Sequence, residues 1–209
     1  DVSVGGAQKG LMLPPGMSFN AISDKALAAN KNAKLPKSFF AWDEMLAMNK
    51  IGFFPYTPAT QMLHGLVAGI EMLHEEGLDN VFARHDRLAE ATRRAVKAWG
   101  LENLNKNASQ YSPTITAILL PEGHDADKFR AMALENYNIS YGASFGQYAG
   151  KYFRIGHLGD INEGMLIGAL GITEMALTVA GVPVKKGGVQ AAMDYLTSQQ
   201  SGAARQAAE

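Results

Sequence analysis

Apolar residues recur at helical spacing in two long stretches of the chain and alternate with polar ones in several short stretches. In PYTPATQMLHGLVAGIEMLHEEG, residues Met62, Leu63, Leu66, Val67, Ile70 and Leu73 follow the 3.6-residue repeat and predict a helix. Thr57 suits its N-cap, Pro58 its first helical position, and Gly77 its end. A second helix is predicted over 79–98. Val81, Phe82, His85, Leu88, Ala89, Thr92, Val96 and Trp99 share one broad face of it. Arg84, Asp86, Arg87, Glu90, Arg94 and Lys97 occupy the other, and Gly100 stops it.

Strands are predicted at residues 1–4 and at MSFNAI (17–22), separated by a loop that carries Lys9. Further strands fall at TITAILL (114–120) and YFRI (152–155), with a short one at NISYG (138–142). Shorter helices fit 23–29, 42–50, 126–136 and about 161–180. Residues 30–40, 103–113 and 144–151 read as loop, and GVPVKKGG (181–188) as a turn. The strands and helices after 100 form a small α+β set. The domain boundary is placed near 76–78, giving segments 1–76 and 77–197, with a disordered tail over 198–209.

Composition narrows the class. The chain has 209 residues, 47% of them hydrophobic, enough for one large domain or two small ones. Its net charge is −1 with Lys and Arg spread along it, which points away from nucleic acid and from anionic membrane surfaces. It has no cysteine, so a catalytic thiolate is excluded within it; this fits a reducing compartment, and a cytoplasmic location is expected. The most apolar run, 164–184, is interrupted by Glu174 and several glycines and reads as a buried helix rather than a membrane span. The chain opens on DVSV, without Met or a signal peptide, as though inside a strand, and a part of a longer polypeptide is expected.

Three segments carry candidate chemistry. Lys9 lies in DVSVGGAQKGLMLPPG, among glycines that allow close backbone approach. A lysine amine attacks a carbonyl only when unprotonated, and desolvation at a strand end would favour that form. The alternative, a solvated lysine in a turn, stays open on local pattern. Arg154 lies within the apolar strand YFRIGHLG, where a planar guanidinium could grip a carboxylate; pairing with Asp160 is the alternative. In PYTPAT, Thr57 and the helix start suit a phosphate, with Tyr56 adding a hydroxyl, against ordinary capping. Of the histidines, only His157 lies beside a candidate, and none has metal-pair spacing, so no metal is expected.

Together, DVSVGGAQKGLMLPPG, PYTPATQMLHGLVAGIEML, GLDNVFARHDRLAEATR and YFRIGHLGDINEGML resemble, in that order, the class V, fold type I pyridoxal-phosphate aminotransferases, from residue 1 to about 180. Within that class they resemble most the serine–glyoxylate and alanine–glyoxylate group. The resemblance implies an α/β fold: the C-terminal part of a large cofactor domain over 1–76, then a small α+β domain. It implies that Lys9 carries pyridoxal 5'-phosphate and that Gln8 helps hold the phosphate. Arg154 would bind the substrate α-carboxylate. Tyr56 and Thr57 would reach the cofactor phosphate of a partner in a homodimer.

The family often has serine where Ala7 stands, which removes one hydroxyl beside the phosphate. The aspartate and stacked aromatic that the family places against the cofactor ring are expected upstream, in another part of the same polypeptide. The implied reaction moves the amino group of L-serine to glyoxylate. Alanine–glyoxylate or broader amino acid–glyoxylate transamination remains an alternative, as does a non-catalytic module that keeps the fold. Cysteine desulfuration is disfavoured, since it needs a cysteine in this half.

Overall fold

The computed structural model describes residues 1–206, and side chains through 199. The chain divides into two compact units, Asp1–Glu75 and Glu76–Glu209. Among the described residues no helix is long and apolar enough to cross a membrane.

The first unit opens with a hairpin. Strands β1 (Val2–Gly6) and β2 (Ser18–Ile22) pair antiparallel, with Val4 opposite Asn20 and Gly6 opposite Ser18. Ala7, wholly buried, closes the hairpin: its N–H donates to the Met17 carbonyl and its carbonyl accepts from Leu13. Helix α1 (Asp24–Asn30) starts where the Ser23 hydroxyl accepts from the Ala26 N–H. Helix α2 (Trp42–Asn49) follows a single 3₁₀ turn at Ser38–Phe40, inside the stretch read as loop. Helix α3 runs Thr60–Glu76. It begins later than the sequence predicts, with the Ala59 carbonyl accepting from Met62 and Leu63. Ala59, rather than Thr57, therefore stands just before the first helical residue.

The second unit is built on α4 (Leu78–Trp99), which ends at Gly100 in the left-handed conformation. Its predicted apolar face is buried except for Phe82, which is exposed. Arg84 departs from the predicted polar face in the other direction. Its guanidinium pairs with Glu76 at 2.6 Å and donates to the carbonyls of Gly159 and Ile161, both at 2.9 Å. Three antiparallel strands lie in the order β3 (Glu102–Asn103), β4 (Ile115–Leu119), β5 (Tyr152–Gly156). The predicted strand at 138–142 reduces to one bridge, Gly142 to Arg154.

Helices α5 (Ala126–Tyr137) and α6 (Glu163–Val179) complete the core, where Phe129, Tyr141 and Phe153 meet at ring-centroid distances of 4.7–5.5 Å. The apolar run containing Glu174 is α6, with Leu166, Leu170, Ala176 and Leu177 buried. Helix α7 spans Gly188–Gln206. It runs into the segment 198–209 expected as a tail, as far as Gln206. Residues 207–209 lie outside the described residues.

Candidate active site

Lys9 sits in the tip of the first hairpin, in a turn closed by the Met12 N–H donating to the Lys9 carbonyl at 2.9 Å. Met12 holds a left-handed conformation, with φ 63°, which for a residue with a Cβ is costly and sharpens the turn. The loop lies on α3: a Cβ on Gly69 would come within 2.8 Å of the Leu11 carbonyl oxygen, and one on Gly65 within 3.2 Å of Leu13. Only glycine at 69 permits that approach without displacement of the backbone. Lys9 and Gln8 are exposed, and neither side chain has a partner among the described residues. The desolvating pocket expected around Lys9 is not built by this unit. Gln8 folds back over Gly6, whose missing Cβ would stand 3.0 Å from Gln8 Oε1.

Tyr56, in a bend, and Thr57 precede α3 rather than capping it, and both are exposed. The Tyr56 ring rests 4.9 Å from the Phe39 ring, and the two hydroxyls have no hydrogen-bond partner among the described residues. No hydrogen bond joins them to Lys9 among those residues. The donor set of this unit (one amine, one amide, two hydroxyls) suits a group that offers an aldehyde and a phosphate.

Arg154 belongs to the second unit. It is central in β5, where Phe153 and Ile155 are buried and Arg154 faces the opposite side of the sheet. Backbone bonds to Gly142 hold it on one edge, at 2.9 and 3.0 Å, and Ala117 is its partner on the other. Its Nε donates to the Ala143 carbonyl at 2.8 Å, and its Cζ lies 4.4 Å from the Phe145 ring centroid. No ion pair joins it to Asp160, and its terminal nitrogens have no partner among the described residues. The result is a fixed cation with a free fork. Sequence reasoning read Gly142 only as the end of a short strand, and missed Ala143 and Phe145 because they sit in a stretch without periodicity, about ten residues before the arginine they hold.

His157 is wholly buried. Its Nδ1–H donates to the Pro113 carbonyl at 3.0 Å, which leaves Nε2 to accept from the Thr116 hydroxyl at 2.9 Å. Burial pushes it down to about 4, only partly opposed by the bond to Pro113. Both nitrogens are used inside the fold. His85 has a related part: its Nδ1 bonds the Val81 carbonyl, and its Nε2 accepts from the Gly159 N–H at 3.1 Å. With Arg84 it secures the loop that follows β5.

The comparisons with curated proteins and with solved structures agree with one another. No protein-family model matches the chain. Over 200 residues it is 50% identical to the serine–glyoxylate aminotransferase of Hyphomicrobium methylovorum, covering 94% of this chain and 49% of that protein. It is 41% identical over 209 residues to the L-aspartate–glyoxylate aminotransferase of Paracoccus denitrificans (strain Pd 1222), covering 100% of this chain and 53% of that protein. Its backbone matches the solved pyridoxamine–pyruvate aminotransferase of Mesorhizobium loti with a TM-score of 0.88 at 31% identity, covering 95% of this chain and 52% of that one. The chain thus spans about half the length of the relatives it matches. The fold is that of the fold type I pyridoxal-phosphate-dependent aminotransferases, in their C-terminal part. Within that class, the chain belongs to the class V family that includes the serine–glyoxylate aminotransferases.

Proposed function

We propose that this chain supplies the C-terminal half of a pyridoxal-phosphate-dependent enzyme that transfers the amino group of L-serine to glyoxylate, giving hydroxypyruvate and glycine. The observation that carries the reading is the 50% identity over 200 residues to a serine–glyoxylate aminotransferase. The unpartnered amine of Lys9 and the free fork of Arg154 support it further.

In this reading Lys9 would hold the cofactor, with Gln8, Tyr56 and Thr57 donating to its phosphate. The last two would act across a homodimer interface. When bound, the cofactor supplies an electron sink for the substrate Cα. Arg154 binds the α-carboxylate through its two terminal nitrogens and so orients the Cα–H bond. The Lys9 amine moves the proton at Cα as general base. Residues 1–76 are read as the end of the cofactor domain and 77–197 as the small domain. A cytoplasmic location belongs to the same proposal, supported by the cysteine-free composition.

A second reading is a broader amino acid–glyoxylate aminotransferase, using alanine or aspartate. The 41% identity to an L-aspartate–glyoxylate enzyme favours keeping it. Steady-state comparison of serine, alanine and aspartate as donors to glyoxylate, in the full-length protein, decides between them. A serine preference is expected. Equal or better use of alanine or aspartate would overturn the specific activity but leave the class. Loss of transamination in Lys9→Ala is expected in either case.

A further inference from the structure

We propose that Phe145 is a positioning residue for the carboxylate grip of Arg154, holding the guanidinium flat so that only its outer edge meets substrate. The proposal rests on the reading of Arg154 as the carboxylate binder.

Phe145 is 62% exposed, so its ring packs into no core. Its ring centroid lies 4.4 Å from Arg154 Cζ. That distance is a cation–π contact, in which the negative face of the ring meets the delocalised charge. The ring's own backbone is fixed: the Phe145 N–H donates to the hydroxyl of buried Tyr152 at 3.1 Å. The neighbouring Ser144 hydroxyl accepts from the Gly150 N–H at 2.7 Å, tying the far end of the loop. Gly142 leaves the space that the side chain needs, since a Cβ there would stand 2.9 Å from Arg154 Nε and 3.1 Å from Cζ.

Each of these contacts removes a freedom. Nε is committed to the Ala143 carbonyl, so a carboxylate cannot be met side-on through Nε and one terminal nitrogen. One face of the guanidinium is covered by the Phe145 ring. What remains is an end-on approach, with both carboxylate oxygens facing the two terminal nitrogens. A long arginine side chain otherwise loses considerable rotamer freedom on binding, and a ring that has already fixed it lessens that loss.

The test measures binding of glycolate, an unreactive carboxylate, to the full-length holoenzyme by calorimetry, with the visible cofactor band recorded on the same samples. Phe145→Ala is expected to weaken glycolate about fivefold to twentyfold with the band unchanged. Phe145→Tyr and Phe145→Trp should restore wild-type binding, and Phe145→Leu, apolar but without a ring, should not. Unaltered binding in Phe145→Ala, or full rescue by Phe145→Leu, would overturn the proposal. Arg154→Ala measured alongside separates the two levels. If it weakens glycolate while Phe145→Ala does not, only the role of Phe145 falls. If Arg154→Ala has no effect, the carboxylate reading of Arg154 falls and takes this proposal with it.

Discussion

The carbonyl oxygen of Leu11 lies against the bare Cα of Gly69, at a spot where a Cβ would be only 2.8 Å away. At this point the loop that carries Lys9 therefore rests on the backbone of α3. Gly69→Ala must push that backbone aside, an overpacking cost of about 1–3 kcal/mol. Denaturant unfolding of the full-length protein should show a loss of that size, together with weaker retention of cofactor. Gly65→Ala should be milder, because it meets the movable end of Leu13. A Gly69→Ala protein as stable as wild type would contradict the docking.

Gly142 holds open the space filled by the Arg154 side chain. Gly142→Ala should displace the guanidinium and raise KM for serine and glyoxylate about tenfold, with kcat lowered less. Steady-state kinetics on both substrates, with the cofactor band as a control for folding, checks this.

His157 gives stability a defined pH dependence. Burial holds it down to about 4 in the fold, while a free imidazole titrates near 6.5. Between those values the unfolded chain binds a proton that the folded chain does not. The contribution is therefore fully present above about pH 6.5 and is lost as pH falls toward 4, by up to about 3 kcal/mol. Unfolding free energies measured across that range should flatten in His157→Gln. An unchanged slope would assign the dependence elsewhere.

Glu174 is the acid in the apolar run of α6, and its position has a physical reason. Its carboxylate accepts from Trp99 Nε1–H at 2.8 Å and from the N–H groups of Gly187, Gly188 and Val189 at 2.9–3.3 Å, capping the start of α7. Burial raises its pKa, and these donors outweigh burial, so the net shift is downward. Its contribution is thus present above the usual glutamate range and is lost as pH falls through the lowered value. Glu174→Ala strands four donors and should cost about 2–4 kcal/mol, read by thermal and denaturant unfolding.

Much of this architecture was legible because it is local. The repeat over 79–98 reports α4, and the alternation at 17–22 reports β2, since both patterns come from neighbours in sequence. The start of α3 was misplaced because Thr57 and Pro58 carry the sequence signature of a helix start, while the hydrogen-bonded turn opens at the Ala59 carbonyl. At the site, residue types were legible and their state was not. An arginine inside an apolar strand is visible in YFRI, but its free fork depends on Ala143 and Phe145, which reach it only through the bridge at Gly142. Glu174 looked like an interruption of an apolar run because its partners lie in α4 and at the start of α7.

The proposed function places the cofactor on Lys9. Borohydride reduction of the full-length protein, followed by peptide mapping, tests it most directly. A single pyridoxyl modification is expected, on the peptide containing Gln8–Lys9–Gly10. A modification on any other lysine, or a folded protein that takes up no cofactor, would contradict it.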